Sequence, residues 1–138
     1  MDNYQDIRRG RHCVTALHVH LVFVTKYRRH VLDSAALLML RDSMANVCCD
    51  FGAELAEMNG EDDHVHLLVT YPPTVALSRL VNSLKGVSSR MLRQARSDLE
   101  PRFWKGSLWS PSYFAVSCGG APLHLIQQYI EAQKKPGR

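Results

Sequence analysis

The chain has 138 residues, 46% of them apolar, enough to fill one continuous core, and it reads as a single domain. No run approaches the roughly 18 to 20 apolar residues of a membrane span, and the polar opening, Met1 to Gly10, lacks the hydrophobic region of a signal peptide, so membrane and secreted classes are excluded and a cytoplasmic protein is expected. With 17 Lys+Arg against 13 Asp+Glu the net charge is +4, a mild excess that favours a polyanionic partner.

Residues 14 to 25 are rich in β-branched and aromatic side chains and contain no Gly or Pro, which predicts a buried strand. The basic run Lys26-Tyr27-Arg28-Arg29 follows. Asp33 or Ser34 then caps a helix carrying Leu37, Leu38, Leu40, Met44, Val47 and Phe51, and Gly52 closes it. Ala53 to Met58 and His64 to Tyr71 read as two strands joined by the turn-rich segment Asn59 to Asp63, and Pro72-Pro73 ends the second. From Thr74 the apolar set Leu77, Leu80, Val81, Leu84, Val87, Met91 and Leu92 recurs at helical spacing with Arg79, Lys85, Arg90 and Arg93 interleaved. After a loop holding Trp104 and Trp109, Tyr113 to Cys118 is a short strand, Gly119-Gly120 breaks the chain, and a last helix runs from near Pro122 toward Gln133. The order β-α-β-β-α-β plus a terminal helix predicts an α+β fold. A ferredoxin-like or RNA-recognition-motif-like antiparallel sheet would carry helices on one face and leave the other open.

Alternate side chains of a strand share a face, so His64 and His66 point the same way. Two imidazoles there suit either a divalent metal, with Asp62 and Asp63 orienting the rings, or a hydrogen-bonded structural pair. His18 and His20 repeat the spacing inside an apolar strand and are assigned structural or phosphate-facing roles. Tyr129 and Gln133, one helical turn apart, lie on one face. A phenol titrates near pH 10, so Tyr129 as a nucleophile would need a positive group beside it; as an ordinary residue it would pack its ring. Lys26, Tyr27, Arg28, Arg29, Lys85, Arg90, Arg93, Trp104 and Trp109 could bind phosphates and stack bases, or serve as a solvated face and core tryptophans. The four cysteines, Cys13, Cys48, Cys49 and Cys118, lack zinc-ligand spacing and read as reduced packing residues.

In order, Thr25-Lys26-Tyr27-Arg28-Arg29, Asp63-His64-Val65-His66-Leu67-Leu68, Leu84-Lys85-Gly86, Leu108-Trp109-Ser110-Pro111-Ser112-Tyr113-Phe114 and Tyr129-Ile130-x-x-Gln133 resemble a single-tyrosine HUH transposase of the insertion sequence 200/605 group, across about residues 14 to 135. The resemblance implies His64, His66 and Gln133 as ligands of Mg²⁺ or Mn²⁺, and Tyr129 as the nucleophile that attacks a scissile phosphate. It implies a 5′-phosphotyrosine intermediate, single-stranded DNA with a hairpin as substrate, and a homodimer whose tyrosine helix can act in trans. By their basic and aromatic chemistry, Lys26, Arg28, Arg29, Lys85, Arg90 and Trp109 are the candidate DNA contacts. Ser112 stands where the pattern has Gly. Two other readings compete: a domesticated relative that processes palindromes by the same chemistry, and a non-catalytic RNA-recognition-type module, which would need exposed aromatics on its central strands.

Overall fold

The computed structural model describes residues 8–9, 14–15, 17–102, 106–117 and 123–133. Strands β1 (Arg8–Arg9) and β2 (Val14–Thr15) pair antiparallel as a small ribbon, and the main strand β3 is Leu17–Val24. The strand expected over 14 to 25 is thus divided, its first residues pairing with the N-terminal segment instead of the main sheet. Strands β4 (Glu54–Glu61), β5 (His64–Tyr71) and β6 (Phe114–Ser117) join β3 in a four-stranded antiparallel sheet of order β4-β5-β3-β6. Helix α1 (Ser34–Asp50) links β3 to β4, and α2 (Leu77–Ala95) links β5 to β6. Each link passes over an intervening strand, which gives the expected ferredoxin-like α+β arrangement.

The period-two pattern of the central strands sorts their side chains between two faces. Val19, Leu21 and Phe23 of β3 and Val65, Leu67 and Val69 of β5 form the main core with Ala36, Leu40, Met44 and Val47 of α1 and Leu80, Val81, Leu84 and Leu92 of α2. Each fully buried leucine there contributes about 1.5–3 kcal/mol of apolar transfer energy. Cys48 belongs to this core and burial pushes its thiol up to about 12, whereas Cys49 is exposed and is no packing residue. Cys13, Cys118, Trp104 and Pro122 lie outside the described residues.

Asp33, rather than Ser34, caps α1: its carboxylate accepts a hydrogen bond from the Ala36 amide at 2.8 Å. Gly52, with φ 71°, takes the left-handed turn after the helix. Hydrogen bonds from Arg96 and the Ala36 amide hold the Asp33 carboxyl down at about 2. Asp33→Ala should cost about 1 kcal/mol in urea unfolding at neutral pH. Because the folded-state pKa is depressed from 3.8 to about 2, the wild type's advantage is full above pH 4 and fades as the pH is taken down through 2.

The β4–β5 connection is tighter than the sequence suggests. Asn59 and Gly60 continue β4, opposite His66 and Val65, and only Asp62 and Asp63 form the turn. Asn-Gly is a turn signal by composition, but here the glycine serves close packing: a Cβ on Gly60 would come within 2.9 Å of the Leu37 side chain and 3.0 Å of the His64 carbonyl.

Helices α1 and α2 cover one face, as expected, but α3 (Leu123–Ala132) lies on the other. The cause is in β3, where His18 and His20 are followed on the same side by Val22 and Val24. Those valines need apolar cover, and Ile130 of α3 supplies it, with Phe114 and Tyr129 at the margin. The second face is therefore polar at one end and capped by the terminal helix at the other. Among the described residues, no helix is long and apolar enough to cross a membrane.

Candidate active site

All four strand histidines share that second face, because β3 and β5 are antiparallel neighbours and their intervening apolar residues go to the core. His64 lies opposite Val24, His66 opposite Val22, and His20 opposite Leu68. The rings of His64 and His66 are 4.9 Å apart between centroids and those of His20 and His66 5.6 Å apart. His18 sits further along, its Nδ1 bonded to the Thr70 hydroxyl at 3.1 Å. The separation of the two His-Val-His strings expected from their surroundings does not extend to His20, which joins the site.

Asp63, not Asp62, orients His64. Its Oδ1 lies 2.7 Å from His64 Nδ1, while its Oδ2 accepts from Arg28 Nε at 3.1 Å. Burial acts to raise the Asp63 pKa, but the hydrogen bonds from His64 and Arg28 outweigh it and hold the carboxyl below its ordinary value. Bonding Nδ1 to a carboxylate fixes the tautomer and leaves Nε2 of His64 as the ligand atom, a common arrangement for metal-binding histidines. Burial, then the neighbouring His64 and His20, lower the His66 pKa to about 4, so this imidazole is neutral near pH 7 and keeps a lone pair. The donor set therefore fits a divalent metal. Among the described residues, His30, Asp62 and Asp63 also bring ligand atoms within 4.8 Å of one another, but His30 and Asp62 are exposed and already pair with each other at 3.0 Å.

The Thr25 amide and hydroxyl, 2.9 and 3.1 Å from the Asp63 carbonyl, fix the turn that carries Asp63. Tyr27 and Arg28 then adopt left-handed backbone angles, φ 57° and 56°, on the way to α1. Arg28 bridges two elements, since its Nη1 also reaches Glu131 of α3 at 3.3 Å.

Tyr129 and Gln133 act as neighbours, as their spacing predicts, and both engage the loop before β6. The Tyr129 hydroxyl lies 2.8 Å from Ser112 Oγ, and Gln133 Oε1 accepts from Ser110 Oγ at 2.6 Å. The Tyr129 ring rests 5.7 Å from that of Phe114. Burial raises the Tyr129 pKa, opposed by the Ser112 hydrogen bond, so the phenol is protonated at neutral pH.

The remaining candidates separate by environment. Arg29 and Arg28 line a cleft of about 390 Å³ with His30, Pro101 and Arg102. Arg90 is exposed and lines a groove of about 370 Å³ with Arg79, Asn82, Ser83 and Gly86. Lys26 lies with its ammonium 5.4 Å from the Tyr27 ring. Trp109 corrects the expectation of base stacking: it is 5% exposed, edge-on to Phe23, with its Nε1 donating to Ser88 Oγ at 3.1 Å, so no face remains for a base. Lys85 is turned inward onto the Ser110 and Ser112 carbonyls, at 2.7 and 3.1 Å. The contacts of Ser110 and Glu131 are not signalled in the sequence, and His20, expected in a structural or phosphate-facing role, lies beside His66. Only His20 left a signal, the shared parity of the two His-Val-His strings on antiparallel neighbours.

Residues 13–133 match the family of IS200-like transposases. The ISDra2 transposase TnpA of Deinococcus radiodurans is 35% identical over 128 residues, covering 93% of this chain and 91% of the relative. The transposase for insertion sequence element IS200 of Salmonella typhimurium is 30% identical over 114 residues, covering 83% and 74%. A crystal structure of a transposase from Deinococcus radiodurans R1 superposes with a TM-score of 0.85 at 35% identity, covering 92% of this chain and 98% of that one. A REP-associated tyrosine transposase bound to a REP hairpin shares the fold, with a TM-score of 0.56 at 16% identity, covering 90% and 68%. The family match over residues 13–133 and relatives at this identity and coverage agree with the fold, and the chain belongs to the IS200-like transposase family.

Proposed function

We propose that this transposase cuts and rejoins single-stranded DNA through a covalent link to Tyr129, at a metal site built on His64 and His66. The supporting observation is that the carboxylate-oriented histidine pair and the tyrosine helix occupy the same sheet face. Among the described residues, the open-face positions of the central strands are His18, His20, Val22, Val24, His64, His66, Leu68 and Thr70. None is Phe, Tyr or Trp, and Phe23 is buried on the core side, which argues against the RNA-recognition reading.

In the reaction, the Tyr129 oxygen bonds to the scissile phosphorus and the bond from phosphorus to the 3′-oxygen breaks. The products are a 5′-phosphotyrosine and a 3′-hydroxyl that takes up a proton. Burial raises the Tyr129 pKa, so Tyr129 enters the reaction as the protonated phenol and gives up that proton in forming the bond. His64 and His66, with Gln133 as the third candidate, would hold Mg²⁺ or Mn²⁺, which supplies polarisation of a phosphate oxygen. Asp63 and Arg28 keep His64 in register, and Ser112 keeps the phenol oriented. Because the phosphodiester energy is retained in the tyrosine link, a 3′-hydroxyl from another strand can reverse the step, and no nucleotide hydrolysis is required.

The substrate we infer is a strand that carries a hairpin, as bound by the REP-associated neighbour. Lys26, Arg29 and Arg90 are the proposed phosphate contacts, and a homodimer the proposed assembly, with the tyrosine helix serving its own or the partner's histidines. Incubating the protein with a labelled single-stranded oligonucleotide containing a hairpin from the flanking DNA, with Mg²⁺ or with EDTA, tests the reading. A protein–DNA band surviving a denaturing gel should form only with metal and only on the single strand. Cleavage without any covalent band would refute it.

A further inference from the structure

Lys85 stands in the middle of α2, where its position among Arg79, Arg90 and Arg93 suggests a phosphate contact. Its surroundings say otherwise. The side chain is half-buried against the rings of Phe23 and Tyr113, each 5.9 Å from Nζ, and burial lowers its pKa to about 8. Its ammonium donates to two main-chain carbonyls, those of Ser110 and Ser112. These two residues also offer their hydroxyls to the terminal helix, Ser110 to Gln133 and Ser112 to Tyr129. Burying an ammonium is costly unless acceptors solvate it, so two carbonyls aimed at one cation form a strong structural element.

The loop is fixed at one end independently of Lys85. Ser110 N donates to Val24 O at 2.8 Å, extending the ladder of β3. Ser112, two residues on and past Pro111, has no such ladder bond among those described, and its carbonyl is tied back by Lys85.

We propose that Lys85 is a positioning residue for the nucleophile: it pins the Ser110–Pro111–Ser112 loop from beneath so that the two serine hydroxyls seat Gln133 and Tyr129. The role rests on the tyrosine reading above for its catalytic consequence, though not for its structural one. Lys85 touches neither DNA nor the reacting atoms in this role.

Lys85→Met keeps the stem packed on Phe23 and Tyr113 and removes only the ammonium. At saturating DNA and Mg²⁺, single-turnover adduct formation should slow on the order of tenfold to a hundredfold, as for a misplaced reacting group. DNA affinity and its salt dependence should stay at the wild-type level, and hydrogen exchange of the α3 amides should accelerate while α1 is unchanged. Ser112→Ala should slow adduct formation in the same direction, Ser112→Thr should retain more of the rate, and the double variant Lys85→Met/Ser112→Ala should be no slower than the slower single one, because both act through one chain of contacts. A Lys85→Met protein that reacts at the wild-type rate when saturated, but binds more weakly with a salt slope reduced by about 0.7, would make Lys85 a phosphate contact and overturn the proposal. Unaltered exchange in α3 would also overturn it, and this measurement needs no catalysis. Absence of any Tyr129 adduct in the wild type would instead sink the nuclease reading, leaving the exchange experiment to decide the role of Lys85.

Discussion

Tyr129→Phe should lose the covalent protein–DNA adduct, with the rate of strand cleavage falling on the order of 10³-fold or more, as expected when a nucleophile is removed. The ring contact with Phe114 and the neighbouring seat of Ile130 on Val22 and Val24 remain, so α3 keeps its apolar anchor. What disappears is the oxygen and its hydrogen bond to Ser112, a net loss of about 1 kcal/mol in stability. The melting temperature should therefore fall by only about 2–5 °C while adduct formation is abolished. An adduct that persists in the Phe variant and maps to another residue would remove Tyr129 from the mechanism.

The second large effect is expected at Asp63. Asn at this position keeps the shape but loses the charge that orients His64 and pairs with Arg28. Carboxylates behind ligating histidines typically sustain 10–100-fold in metal affinity or activity, so Asp63→Asn should weaken Mn²⁺ binding by about that factor. Titration followed by the Mn²⁺ paramagnetic resonance signal measures this without substrate. His64→Ala should weaken it further, because a ligand rather than its support is gone. Equal Mn²⁺ affinity in wild type and Asp63→Asn would show that the carboxylate has only a structural role.

Much of this fold could be read from local pattern. The alternation in residues 17–24 and 64–71, the helical spacing of Leu80, Leu84 and Leu92, and the cap at Asp33 are short-range signals, and each produced the element it implied. What local pattern could not supply was the competition between distant segments. Val14 and Thr15 have strand character, yet their partners lie at Arg8 and Arg9. Asn59-Gly60 carries turn chemistry, yet the pairing with His66 and Val65 extends the strand through it.

The site followed the same division. His64 and His66 were legible as a same-face pair because both lie within one strand and its period sets their geometry, whereas Gln133 falls just past the end of α3 and meets the same loop as Tyr129 through Ser110. Ser110, Glu131 and the inward turn of Lys85 depend on which loop meets which helix, and no spacing encodes that. Trp109 was assigned to bases by residue type, whereas the core claimed its ring and Ser88 its nitrogen.

Tyr27 and Arg28 carry an implication for any attempt to harden this protein. Two consecutive non-glycine residues in the left-handed region cost of order 1–3 kcal/mol each, an unfavourable term that the fold tolerates. Selection for thermal resistance alone would draw position 27 toward glycine but would hold Arg28, because losing its guanidinium would leave the buried Asp63 carboxylate less compensated. The strain at Arg28 is thus kept in place by the same contact that joins the histidine strand to the tyrosine helix through Glu131.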